Sequence, residues 1–420
     1  MSTKILNPLL EPLKLGQSLL KNRIVMGPLT RSRAVPTNVP NSTMLEYYVQ
    51  RARGGASLII SEGALITQQG TEWQNAPGIW SQEQIDGWKK ITDAVHKEGA
   101  VMFCQLWHVG RLSHPDAPEQ KASGKPVYGP SAISARGFAG KFRFLPGKPG
   151  YVTFALSVTR KYQPTAIEDP KVLIELFRQG AINAKAAGFD GVELHGGHGY
   201  LIHEFLDSTS NKRTDSYGGS IENRARFGLE ALTAAVDIWG PGRVSIKLTP
   251  TGGNDLGHVS YFTLHKSRKL TCLICRMPLE ENVNTFRYFI EEADKMNLAY
   301  ICLLRYIQFF DSQIDGTWRS TIHDVLRTYR PSIKNAALFL SGGLSPEEGA
   351  SLVASGDIDA AVFARAWICQ PDVANRIMHG IPLETNIDME NLYPQLDKYA
   401  TLEEAINKGY TDYPAARYVE

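Results

Sequence analysis

Eight short, apolar, β-rich runs punctuate the chain, and most are separated from the next by room for an amphipathic helix. They occupy residues 23–26, 58–61, 101–106, 191–195, 244–248, 299–303, 337–340 and 360–363. Most are apolar throughout, the pattern of parallel strands buried on both faces rather than of half-exposed strands, which alternate. The intervening segments 86–97, 170–187, 221–239, 279–296, 318–329, 346–354 and 372–379 read as helices. In 170–187, Leu173, Leu176, Phe177, Ala181 and Ala184 recur at helical spacing. Ser345 followed by Pro346 is a helix start, a capping hydroxyl before a residue whose φ is already helical. An α/β chain with eight such alternations closes into a (β/α)8 TIM barrel of one domain, residues 1–420. An open, doubly wound sheet would also alternate, but no strand–GxGxxG–helix unit stands near the start.

A barrel of this kind keeps its chemistry just past the C-terminal ends of its strands. Four runs end in residues that a plain scaffold does not need: Gly27-Pro28-Leu29-Thr30, Gln105-Leu106-Trp107, His195-Gly196-Gly197-His198 and Lys247-Leu248-Thr249. Two segments break the alternation. Residues 113–164 form a Gly/Pro-rich, aromatic excursion after the third run, and residues 252–276 form a second, carrying the basic stretch His265 to Lys269.

Charge and cysteine content narrow the class. Over 420 residues, 45 Lys and Arg face 43 Asp and Glu, so the basic excess of a nucleic-acid binder is missing. Five cysteines are too few and too scattered for a disulfide framework, which points to a reducing compartment. No run approaches the ~18 apolar residues of a membrane span, the first residues do not read as a signal peptide, and the last match no retention signal. The expectation is a cytoplasmic enzyme, monomeric or homodimeric.

The chemistry is densest after the fourth run. His195 and His198 can both donate to one ligand oxygen and stabilise negative charge there. Tyr200, with an ordinary pKa near ~10, is a poor base but a usable proton donor. His195, His198 and His203 could instead ligate zinc, although no His-Glu-x-x-His unit supports it. The polar stretch 211–227 reads as a network that fixes a loop, with Ser220 capping the helix that follows. After the seventh and eighth runs, Gly342, Gly343, Ala364 and Arg365 offer backbone N–H groups and a guanidinium to a phosphate.

Taken together, these stretches resemble the Old Yellow Enzyme family of FMN-dependent ene-reductases, also described as NADPH dehydrogenases. The likeness begins with Leu6-Asn7-Pro8-Leu9-Leu10-Glu11-Pro12 and with residues 21–33, and continues through 75–81, Gln105-Leu106-Trp107-His108 and 195–202. It is most specific over 213–227 and returns at Gly409-Tyr410-Thr411-Asp412-Tyr413-Pro414.

The resemblance implies an FMN-binding barrel reduced by NADPH. Pro28, Leu29, Thr30 and Gly63 would lie along the flavin. Gln105 would bond its pyrimidine edge, and Lys247 would place positive charge near N1 and the C2 carbonyl. Gly342, Gly343, Ala364 and Arg365 would hold the phosphate. His195 and His198 would grip the carbonyl or nitro oxygen of an enone, enal or nitroalkene, with Trp73, Trp107, Leu392 and Tyr393 shaping the pocket. Hydride would pass from flavin N5 to the β-carbon, and Tyr200 would protonate the α-carbon. A reductase or isomerase of a secondary-metabolite pathway fits the same residues. The missing cysteine quartet argues against the iron–sulfur relatives.

The chain departs from the family in four places. His198 stands where Asn is common, Lys247 where Arg is common, and Ala364 where Gly usually precedes the phosphate arginine. Residues 261–276 have no family counterpart, and Ser260 would join Met277 cleanly, the signature of a translated intron. Within 258–275, His258, His265, Cys272 and Cys275 formally resemble a zinc set. A genuine insertion here would act as a lid or disable the enzyme.

Overall fold

The computed structural model describes residues 6–71, 75–135, 163–252, 277–308 and 320–418, with the backbone of four further short strands, Lys141–Phe144, Tyr151–Thr153, Gln313–Ile314 and Thr317–Trp318. Eight parallel strands form the centre: β1 (Ile24–Met26), β2 (Leu58–Ile60), β3 (Val101–Trp107), β4 (Gly191–Gly196), β5 (Val244–Leu248), β6 (Tyr300–Leu304), β7 (Ala337–Ser341) and β8 (Ala360–Phe363). Each pairs with the next, β8 pairs with β1, and β3 pairs with β4 from Phe103↔Gly191 to Leu106↔Leu194, so the ring is a closed (β/α)8 barrel. The outer helices are α1 (Ser42–Arg53), α2 (Gln82–Lys97), α3 (Pro170–Ala186), α4 (Ile221–Trp239), α5 (Leu279–Asp294), α6 (Val325–Tyr329), α7 (Pro346–Ala354) and α8 (Val373–Met378). Their starts follow from local chemistry: Ser81 and Gln84 form a reciprocal capping box, and the side chains of Asn41, Asp169, Ser220 and Ser345 each accept a first-turn N–H.

Alternation along each strand divides the core in two. Outward residues such as Ile59, Met102, Leu194, Ile246, Ile301 and Leu340 pack under the helices. Inward residues Val25, Leu58, Ile60, Phe103, Tyr300, Phe339 and Val362 fill the lower barrel, with Tyr300 and Phe339 stacked at 4.2 Å. The hairpin Leu13–Leu15/Ser18–Leu20 closes the base with Leu13, Leu15 and Leu20. Each large apolar side chain buried this way contributes about 1.5–3 kcal/mol. Higher up, the inward positions change character to Gln105, Glu193, His195, Lys247 and Ser341, all buried. A buried polar layer thus sits on an apolar stack at the C-terminal ends of the strands.

The eight strands lie where the apolar runs predict, with the sixth shifted by one residue. The helix expected over 318–329 is reduced to α6. Thr317–Trp318 pairs instead with Gln313–Ile314, and Asp324 starts the helix by accepting the N–H of Arg327 at 3.0 Å. Within 113–164 the chain forms the helix Pro118–Ala122, and Tyr128–Gly129 pairs with Thr165–Ala166. Residues 253–276 lie outside the described residues, and so do the expectations for 261–276, His258, His265, Cys272 and Cys275. Their flanks converge on one spot: Ser320 Oγ donates to the Gly252 carbonyl at 3.2 Å and Thr321 Oγ1 to the Met277 carbonyl at 3.4 Å. Among the described residues no helix is long and apolar enough to cross a membrane.

Candidate active site

A cavity of about 500 Å³ opens at the C-terminal ends of the strands. Its wall includes Pro28, Leu29, Thr30, Gln105, Trp107, His195, His198, Tyr200, Lys247, Gly342, Gly343, Ala364, Arg365, Leu392 and Tyr393. Every sequence-selected site residue is therefore in one place except two. Trp73 lies outside the described residues. Gly63 is not part of the wall; a Cβ there would meet Trp107 Cε3 at 2.5 Å, so its lack of a side chain gives the indole its seat.

Three aromatic rings surround His195. It meets Tyr200 edge-on at 4.9 Å and His198 edge-on at 5.2 Å, while the Trp107 indole lies 6.2 Å away. The two glycines between the histidines are sterically required: a Cβ on Gly196 would come within 2.9 Å of Ile246 and Leu248, and one on Gly197 within 2.8 Å of Thr249. His198 itself adopts φ +55°, held by its N–H donating to Thr249 Oγ1 at 2.7 Å. For a residue with a Cβ that conformation costs about 1–3 kcal/mol. Tyr200 stands just before the short helix Leu201–Leu206, its carbonyl accepting the N–H of Glu204 at 2.8 Å.

His195 has a defined protonation state. Burial, and secondarily the charge of Lys247, push its pKa well below the ordinary value, so the ring is neutral. Its Nδ1 accepts the N–H of Gly197 at 3.3 Å, which leaves the proton on Nε2. Neutral His195 is a single-proton donor whose charge does not change through the neutral range.

Beneath the rings lies a buried polar set that sequence reading missed. Gln105 Nε2 donates to Glu193 Oε1 at 2.7 Å and Tyr300 Oη donates to Glu193 Oε2 at 2.9 Å. Burial raises the Glu193 pKa, opposed by Lys247 and by these two bonds. Gln105 thus has one N–H committed downward and keeps its carbonyl and second N–H for the cavity. Strand alternation places Glu193 inward between outward Val192 and Leu194, and that periodicity was the available signal.

At the opposite end, Ser341, Gly342, Gly343, Leu344 and Ser345 pass the cavity into the start of α7, beside Ala364 and Arg365. Gly342 and Gly343 take φ +121° and +68°. Gly343 has open space where a Cβ would sit, as a cradle for a large anion requires. The donor set along the cavity, with a small-residue anion end, one cation and one carboxamide at mid-depth, and an apolar wall at Pro28 and Leu29, fits a flavin mononucleotide. Three histidines do not form a metal site: His203 pairs with Thr249 and packs edge-on against Phe286, and it is not part of the wall. Among the described residues no group of three His, Cys, Asp or Glu side chains is placed to hold a metal ion.

The cavity's remaining side comes from the C-terminal segment, fastened by buried arginines. Arg31 donates to the carbonyls of Leu392 and Gly409, and Arg33 to those of Asn391, Leu392 and Lys408. Arg51 lies 3.6 Å from the centre of the Tyr47 ring, which stacks on Tyr410 at 4.0 Å. One buried carboxylate serves this group. Glu62 accepts the Arg31 N–H at 3.1 Å and the Tyr48 hydroxyl at 3.3 Å, and burial pushes its pKa up to about 7. The stretch 211–227 is structural, as its composition suggests: Arg224 donates to Leu206, Glu281 and Thr285 and ties α4 to α5.

Comparison with known proteins agrees with this geometry. The sequence model of the NADH:flavin oxidoreductase / NADH oxidase family matches residues 8–270. The chain is 34% identical to 12-oxophytodienoate reductase 7 of Oryza sativa subsp. japonica, covering 97% of this chain and 94% of that protein. It is also 34% identical to a probable flavin mononucleotide-dependent alkene reductase of Leishmania infantum, covering 98% and 99%. The solved structure of the Old Yellow Enzyme homologue from Zymomonas mobilis superposes with a TM-score of 0.78 at 31% identity, over 97% of this chain and 99% of that one. A closed barrel, a flavin-sized cavity at its C-terminal mouth and near full-length likeness to flavin oxidoreductases place the chain in the Old Yellow Enzyme family, among the FMN-dependent oxidoreductases.

Proposed function

We propose that the protein reduces the carbon–carbon double bond of electron-poor alkenes (enones, enals or nitroalkenes) with FMN as bound cofactor and NADPH as reductant. The observation that carries this reading is the grouping of neutral His195, His198 and Tyr200 on one stretch of cavity wall, with ring centres 4.9 to 6.5 Å apart. Two imidazoles suit one carbonyl or nitro oxygen, and a phenol beside them suits delivery of a proton to the adjacent carbon.

FMN, when bound, supplies hydride from N5 to the β-carbon. Pro28, Leu29 and Thr30 would line its side, Gln105 and Lys247 would meet its pyrimidine edge, and Gly342, Gly343, Ala364 and Arg365 would hold its phosphate. His195 Nε2–H and His198 draw electron density onto the substrate oxygen and fix the alkene's orientation. Tyr200 Oη gives its proton to the α-carbon. Trp107, seated by Gly63, bounds the substrate space with Leu392 and Tyr393. Lys247 in place of arginine keeps the charge without a bidentate fork.

The test is the visible spectrum of the purified protein. Flavin bands near roughly 450 nm that bleach with NADPH in the absence of oxygen, followed by enone turnover, are the expected result. A protein that stays colourless after FMN is added overturns the reading.

A further inference from the structure

The phosphate end of the cavity is held by a residue that lies just outside it. Arg305 follows β6 directly and addresses three consecutive carbonyls of the β7–α7 loop. Its backbone N–H donates to Ser341 at 3.0 Å, Nε donates to Gly342, and Nη2 donates to Gly343 at 3.1 Å. The same guanidinium forks onto Glu348 in the first turn of α7, with Nη1 on Oε1 and Nη2 on Oε2 at 2.8 Å. The approach is close enough that a Cβ on Gly342 would lie 2.7 Å from Arg305 Cγ.

We infer that Arg305, braced by Glu348, is the positioning residue that turns the Ser341–Leu344 backbone amides toward the cofactor's phosphate, an inference that rests on the FMN reading above. In a planar trans peptide the C=O and the following N–H point in opposite directions. Carbonyls 341, 342 and 343 fixed on Arg305 therefore direct the N–H groups of Gly342, Gly343 and Leu344 away from it, on residues that line the cavity. The clamp also acts through charge. Glu348 sits one turn from the helix start that lines the anion end, where its carboxylate would repel a phosphate dianion. The bidentate pair with Arg305 neutralises it.

The role separates from general stability because only the phosphate should sense it. Apoprotein is titrated with FMN and with riboflavin, which shares the ring but lacks the phosphate, and flavin fluorescence reports both affinities. Arg305→Met is expected to weaken FMN by at least about tenfold and to leave riboflavin unchanged. Glu348→Gln alone is expected to weaken FMN less, since it removes the brace and the repulsion together. In the Arg305→Met background it should restore part of the loss. An unchanged FMN-to-riboflavin ratio in Arg305→Met overturns the inference. If that variant does not fold, an unchanged ratio in Arg305→Lys, which keeps the charge but loses the fork that reaches the Gly342 and Gly343 carbonyls, overturns it as well. A wild-type protein that binds riboflavin as tightly as FMN overturns the phosphate assignment itself rather than the clamp.

Discussion

The two ends of the cavity are built in opposite ways. At the β4 end, the chemistry is carried by side chains: His195, His198 and Tyr200 present rings to the cavity, and the backbone serves to aim them. At the β7–β8 end, the backbone of Ser341–Leu344 lines the cavity beside Arg365, and Arg305 holds that backbone from outside. The first design suits a reaction that needs a donor of fixed tautomer and a proton at one point. The second suits an anion that needs many weak donors over a wide surface. Damage should separate accordingly, with turnover lost at one end and cofactor affinity at the other.

The largest separation is expected for Tyr200→Phe. Alkene reduction should fall about 10²- to 10⁴-fold, while FMN affinity and the rate of flavin bleaching by NADPH stay as in wild type. Single-turnover absorbance measurements of the two half-reactions check this, and equal loss in both would erase the contrast. His195→Ala removes one oxygen donor and should cost roughly 10²- to 10³-fold in kcat/KM for the enone. Because burial keeps His195 neutral, the wild-type profile should show no His195 ionisation near pH ~6.5. An inflection there that disappears in His195→Ala would contradict the assigned tautomer.

Glu62 sharpens the comparison by belonging to neither end. Its folded pKa of about 7 exceeds its ordinary 4.5, so between those values the folded state holds a proton that the unfolded state has released. Stability from this group is complete below about pH 4.5, declines as pH rises to about 7, and is level above that, a total of about 3 kcal/mol. Relative to Glu62→Gln, wild type should lose melting temperature across that window, with FMN preference and turnover per bound flavin unaffected. A parallel pair of melting curves would show that the carboxyl is ionised when folded. The smallest effect is expected from removing residues 261–276. Thr321 and Ser320 already bring the flanks Gly252 and Met277 together, so a short loop suffices. Flavin content and melting temperature should match the full chain, and a transcript lacking those codons would explain why.

The same contrast governs what could be read in advance. Side-chain chemistry is visible in a sequence, so His195, His198, Tyr200, Gln105 and Lys247 stood out beside their apolar runs. Backbone chemistry is visible only as Gly342-Gly343, a pair that any turn might use. Arg305 carried little signal because three of its partners are carbonyls, which every residue possesses, and the fourth, Glu348, is distant in sequence. Helix α1 was missed for a related reason: its buried residues mix Met44, Val49 and Ala52 with Thr43, Tyr47, Tyr48 and Arg51, which blurs the apolar stripe, although the Asn41 cap was there to see. The helix expected over 318–329 failed in its first half because Ser320 and Thr321 spend their hydrogen bonds on distant segments.

The fastening of Leu392 and Gly409 to Arg31, and of Lys408 to Arg33, has a consequence for synthesis. A ribosome adds about 5–20 residues per second, N-terminus first. The Pro28–Thr30 wall is therefore made before the strands and the 391–409 segment that line the same cavity with it. Until residues 391–409 have been added, the carbonyls that Arg31 and Arg33 hold do not exist, so the Leu392 and Tyr393 side is the last of the cavity's walls to be made.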